Sequence, residues 1–212
     1  MATTLEAVLE TLARVSKEIA VTAANLASLQ TAPMGVPQDL WEHGLRSLVL
    51  HLTEPRLRRP NIITLVDYRL DADSNRLWTI DLRTKAIFIE TVVSHGSGTG
   101  SRRNPIDEVQ HVGNEPGSEL SSVGAFVTDS GTYQSAAGSP RNHRVRRAAL
   151  RIDGLDTTNN RARERAIVFH GAHYVHANHA GRSDGCFATE QAVNDRLIVL
   201  IQGGSFVYSY FE

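Results

Sequence analysis

The chain has 212 residues, 41% of them apolar and 21% charged, which suits one globular domain with a small appendage or at most two small domains. The formal net charge of −1 and a pI near 6.8 imply no general polyanion partner and argue against nucleic acid. No stretch reaches the roughly 18 apolar residues that span a bilayer, and the opening MATTLEAVLETLARVSKEIA, with no basic start and no long apolar run, does not read as a secretory signal.

The first 30 residues predict a helix, with Leu5, Val8, Leu9, Leu12, Val15 and Ile19 on one face and Thr3 or Thr4 as its cap. Pro33, Gly35 and Pro37 break the pattern. A second helix is expected over about Gln38–His51, burying Leu40, Leu45, Leu48 and Leu52, and Pro55 and Pro60 close the helical part. This pair reads as a scaffold or as a docking element for a protein partner over residues 5–52.

From Asn61 the period changes. Asn61–Leu70, Arg76–Leu82 and Ala86–Val93 are β-branched or aromatic runs separated by turn residues, and predict three consecutive strands. The third leads into the glycine-rich Ser94–Gly100, which lacks the Gly-Lys-Ser/Thr ending of a phosphate loop. A polar stretch follows over Ser101–Ser121, long for a compact domain. Val123–Thr128, Arg147–Ile152 and Ala166–Phe169 predict further strands. The basic segment Arg141–Arg147 reads either as a charged hairpin edge or as a contact surface for an acidic polymer. Glu190–Ile201 predicts a helix and Ser205–Phe211 a last strand, so the fold class is α+β with a mostly antiparallel sheet.

The single cysteine, Cys186, forms no intramolecular disulfide, and is either a small buried hydrophobe or a nucleophile. Its neighbourhood favours the nucleophile. The strand at Ala166–Phe169 delivers His170 at its end, and Gly171 lets the chain turn away. Small residues in Gly181-Arg182-Ser183-Asp184-Gly185-Cys186 allow a tight turn in which the N–H groups of Gly185 and Cys186 face one spot, a main-chain oxyanion hole. A histidine folded back against the thiol lowers its pKa and supplies a reactive thiolate.

These motifs resemble the L,D-transpeptidase catalytic domain of YkuD-like fold, whose signature is His-Gly, a loop, then Ser-x-Gly-Cys; here His170-Gly171 and Ser183–Cys186. The resemblance is closest to the murein L,D-transpeptidase branch. It is carried by Trp78–Leu82, His95–Gly100, Asn114, Ser121–Gly124, Leu150–Leu155, Ile167–Val175 and Gly181–Cys186, in that order, across roughly residues 60–212. It implies a β-rich catalytic domain, 59–212, which follows the helical N-terminal segment, 1–58, read from the periodicity.

The resemblance further implies that Cys186 attacks the amide between a stem-peptide diamino acid and D-alanine, that His170 serves as base, and that Gly185 helps hold the oxyanion. Arg182, Ser183, His95 and Gly171 fall on the substrate side. Arg182 either clamps a substrate carboxylate or pairs with a nearby one to hold the loop; His95 orients His170, touches substrate, or makes a structural hydrogen bond. An amine acceptor then gives a 3→3 crosslink, water gives carboxypeptidase trimming, and an amino acid gives exchange. The partner is peptidoglycan stem peptide, no cofactor is implied, and the site of action is periplasmic or otherwise extracytoplasmic. The absence of a recognisable signal motivates a secreted wall-damaging effector with the same nucleophile as one alternative, and a catalytically weak wall-binding module is another.

Two residues depart from the pattern. Phe187 stands where proline is usual and is expected to reshape the site wall, and His173 stands where an acidic residue is common. The latter completes a series, His170, His173, His176 and His179, that with Cys186 raises zinc as a rival. A helix turns about 100° per residue, so steps of three drift around the axis, and no metal is expected.

Overall fold

The computed structural model describes residues 29–99, 108–134 and 148–212. The helix expected over the first 30 residues falls outside these, apart from Leu29 and Gln30, which are not helical; Arg141–Arg147 and the first part of the polar stretch, 100–107, also lie outside. In chain order the elements are α1 (Gln38–Leu50), β1 (Arg59–Asp67), β2 (Leu77–Asp81), β3 (Ala86–Thr91), β4 (His95–Gly96), a 3-10 turn (Ser97–Thr99), β5 (Gly124–Gln134), β6 (Ala148–Gly154), β7 (Val168–Gly171), β8 (Arg182–Ser183), β9 (Phe187–Thr189), α2 (Gln191–Ile201) and β10 (Ser205–Tyr210).

Eight strands form one sheet in the order β3-β2-β1-β10-β5-β6-β7-β9, and β4 pairs with β8 apart from it. Five of the seven ladders in the large sheet are antiparallel; β1–β10 and β7–β9 are parallel. The sheet is buried on both faces because its strands alternate two apolar sets. On β1, Ile62 and Val66 point into one core with Phe126, Phe187 and Leu197 of α2, while Ile63 and Leu65 point into the other with Leu40 and Trp41 of α1.

The buried face of α1 is Leu40, Trp41, Gly44 and Leu48, so Leu45 and Leu52 are less covered than expected. Trp41 rotates the stripe: its indole N–H donates to the Leu29 carbonyl at 2.9 Å. Gly44 lets the Leu65 side chain come within 2.5 Å of where a Cβ would stand. The apolar face of α1, read as part of a docking element, is thus occupied by the sheet, and Met34, Val49 and Leu50 stand exposed among the described large apolar residues up to Leu52.

Candidate active site

The parallel β7–β9 ladder sets the site. Phe169 is level with Phe187, and His170 with Ala188. Because side chains alternate along a strand, Phe169 and Phe187 point together into the core, while His170 and Ala188 belong to the other side, and Cys186 is the residue that leads into β9. Phe187 is fully buried and stacks on Phe169 with ring centroids 4.9 Å apart, edge-on to Phe126 at 5.7 Å. It is therefore a core residue and does not shape the site wall as expected. β7 also starts two residues later than predicted, because Ala166 has φ 55° and closes a turn before the strand. His170 lies inside the strand, and Gly171 is its last residue, level with Thr189 and not in a turn. A side chain at Gly171 would meet Gln191 at the start of α2 at 2.5 Å, so the close approach of α2 to β7 requires this glycine.

Cys186 is half-buried, and its thiol donates to the Ala166 carbonyl at 3.6 Å. Burial pushes the thiol up to about 11, aided by the nearby Asp184 carboxylate and opposed by the Val168 N–H and Arg165. This reverses the lowered thiol expected from the sequence. His170 is buried, which holds its imidazole below the ordinary range, against the Gly171 carbonyl and Asp184, which favour the charged form. Its Nδ1 lies 3.1 Å from the Gly171 carbonyl, a pairing that puts the proton on Nδ1 and leaves Nε2 as the basic nitrogen. At neutral pH thiol and imidazole are both uncharged.

The turn before Cys186 is held by two serine hydroxyls. Ser183 Oγ donates to the Cys186 carbonyl at 2.7 Å and accepts the Gly185 N–H at 3.2 Å. Ser183 thus staples the turn, and the Gly185 amide donates to its hydroxyl. Ser94 Oγ donates to the same Cys186 carbonyl at 3.1 Å and accepts the Ala188 N–H at 3.1 Å. Gly185 has φ 102°, and a Cβ there would lie 2.6 Å from the Leu120 carbonyl, so no other residue fits the turn.

His95 is fully buried and serves neither of its expected catalytic roles directly. Arg76, itself fully buried, donates from Nη2 to His95 Nδ1 at 2.9 Å. A guanidinium only donates, so Nδ1 accepts and the ring proton sits on Nε2, which has no hydrogen-bond partner. Burial, with Arg76 and Arg182 nearby, lowers this imidazole to about 3. Arg76 also donates to the Val93 carbonyl at 2.7 Å and the Leu70 carbonyl at 2.8 Å, fastening β4 to the loop after β1. Arg182 is half-buried on β8, level with His95. Asn114 holds the loop after β6, donating to the Thr157 carbonyl at 3.2 Å and to Asn160 Oδ1 at 2.8 Å.

The other three histidines do not form a helical face. His173, His176 and His179 are exposed; His176 and His179 close a tight turn through mutual backbone hydrogen bonds, and His179 pairs with Asp73 at 2.7 Å. Among the described residues, no three His, Cys, Asp or Glu side chains converge as a metal site. Sequence reading missed Ser94, Arg76 and Arg165. Ser94 had one available signal, its place just before the His95–Gly100 loop; the two arginines sit in ordinary polar runs.

The sequence pattern of the L,D-transpeptidase catalytic domain family matches residues 36–210. No curated protein matches the chain. Among solved structures, it is similar to the Ldtfm–avibactam carbamoyl enzyme at 14% identity, over 72% of this chain and 49% of that one, with a TM-score of 0.41. An L,D-transpeptidase from Mycobacterium smegmatis aligns at 10% identity, over 71% and 59%, with a TM-score of 0.42. The helical cell shape determining protein Pgp2 from Campylobacter jejuni aligns at 13%, over 71% and 48%, with a TM-score of 0.45. The chain spans about half the length of these structures.

Proposed function

The chain belongs to the L,D-transpeptidase catalytic domain family, and from that premise we propose that it is a peptidoglycan L,D-transpeptidase working outside the cytoplasm through a thioester on Cys186. The observation that supports the reading is the β7–β9 ladder, which sets the strand holding the buried His170 beside the strand that the half-buried Cys186 leads into. With the thiol held up to about 11, a standing thiolate–imidazolium pair is not the resting state. Proton transfer therefore accompanies attack. His170 Nε2 takes the thiol proton as sulfur adds to the diamino acid carbonyl, and returns it to the departing D-alanine amine.

The Cys186 N–H is the donor we assign to the oxyanion, because the Gly185 N–H is engaged by Ser183. An amine from a second stem then attacks the thioester, giving a 3→3 crosslink and restoring the thiol; water in its place gives a trimmed tripeptide. The domain division at residue 58 is kept as a proposal only for residues before α1, since α1 packs into the catalytic core and lies within the family match.

The test is mass spectrometry of purified disaccharide-tetrapeptide incubated with the parent protein and with Cys186→Ala. The expected result is D-alanine release and a 3→3 dimer from the parent alone. A trimmed tripeptide without dimer would make the protein a carboxypeptidase. No release, even from intact sacculi, would overturn the reading in favour of a wall-binding module.

A further inference from the structure

Arg165 precedes the turn that leads into β7 and lies behind the nucleophile, in a role the mechanism above does not use. Its Nη1 donates to the Gly113 carbonyl at 2.9 Å and to Ser122 Oγ, and its Nη2 donates to the Leu120 carbonyl at 2.6 Å. The same Nη2 lies 3.1 Å from where a Gly185 Cβ would stand, and the Leu120 carbonyl lies 2.6 Å from that point. The guanidinium, the 113–122 segment and the Gly185–Cys186 turn are therefore packed in one layer. The next residue, Ala166, presents its carbonyl to the Cys186 thiol.

All three acceptors are uncharged. Among the described residues no carboxylate lies within ion-pair distance of Arg165, and Glu115, the acid that influences it, pairs with Arg161 at 2.6 Å. A half-buried cation in that setting keeps its field, and the Cys186 sulfur, beside the Gly185 turn on which Arg165 packs, is a group it acts on.

We propose that Arg165 is a positioning residue for Cys186: its fork locks the Gly113–Ser122 segment against the Gly185 turn, and its charge stabilises the sulfur anion as the proton leaves. This rests on the reading of Cys186 as nucleophile. The other groups facing the sulfur are Asp184 from the preceding turn, Tyr68 after β1 and Tyr133 on β5, with His170 on the adjacent strand β7. Asp184 opposes the anion, and neither tyrosine is charged at neutral pH, so Arg165 is the cation that acts on the sulfur.

The experiment is the pH profile of iodoacetamide alkylation of Cys186, which needs no substrate and so fails separately from the transpeptidase reading. It is run on the full chain, with folding checked by circular dichroism. Arg165→Gln is expected to move the profile upward by about half a unit or more, seen as roughly threefold slower alkylation at pH 8. Arg165→Lys, which keeps the charge, is expected to stay near the parent profile while losing D-alanine release. A folded Arg165→Gln with the parent profile overturns the proposal. Arg165→Met is the second neutral variant. Loss of the fold in both neutral variants also overturns it, since the residue is then a fold clamp without a separable effect on the sulfur.

Discussion

The two ends of the large sheet are held by different forces. At the β3-β2-β1-β10 end the strands run five to nine residues and share apolar contacts with α1, so stability is spread over many side chains. At the β7–β9 end the strands are four and three residues long, and the Cys186 carbonyl hangs on the hydroxyls of Ser94 and Ser183. Distributed packing fails gradually and mainly changes stability. A few directional bonds fail singly, and the loss appears first in the reacting geometry.

The largest test of this contrast is Trp41→Ala. It removes a fully buried indole and leaves the Leu29 carbonyl without its donor, so a loss of about 3–5 kcal/mol is expected in urea unfolding. Below the melting range D-alanine release should stay near the parent's; a large drop there would couple the two ends and break the comparison. Ser183→Ala should cost about 1–3 kcal/mol, because the Cys186 carbonyl and Gly185 N–H both lose a buried partner. Its signature is a fall in turnover larger than the fall in stability predicts, read from kcat against the urea midpoint.

His95 gives the third test through pH. Its folded pKa is about 3 against an ordinary 6.5, so between those values the unfolded chain binds a proton that the folded chain does not. This contribution is fully present above pH 6.5 and is lost as pH falls toward 3, at about 1.4 kcal/mol per pH unit. Urea titrations at pH 7, 5 and 4 should show that slope in the parent and a shallower one in His95→Asn; equal slopes would refute the assignment. The smallest effect is expected at Val199, 62% exposed on α2, where Val199→Thr should change stability by less than about 0.5 kcal/mol.

The packing end was the more legible in the sequence. β1, β2 and β3 declare themselves by runs of β-branched and aromatic residues, and helices α1 and α2 fall close to their expected bounds. β9 escaped notice because Phe187–Thr189 is too short to show a period, and its parallel partner lies well upstream. The two-residue pair β4 and β8 is below any pattern's reach. Cys186 and His170 were legible as residue types in a motif, but the direction of the thiol shift was not. Adjacency to a histidine favours the anion, whereas burial favours the neutral thiol, and burial belongs to the fold. Arg76 and Arg165 were invisible for a related reason: their partners are backbone carbonyls, which carry no sequence signal.

The stacked pair Phe169–Phe187 has one further consequence. Each ring is the immediate chain neighbour of a residue proposed to react, Phe169 before His170 and Phe187 after Cys186. The stack therefore joins, on the core side of the ladder, the two chain neighbours of His170 and Cys186. A change of side chain at either ring is thus a repacking of the oily interior one residue away from His170 or from Cys186, at a depth no solvent-facing residue reaches.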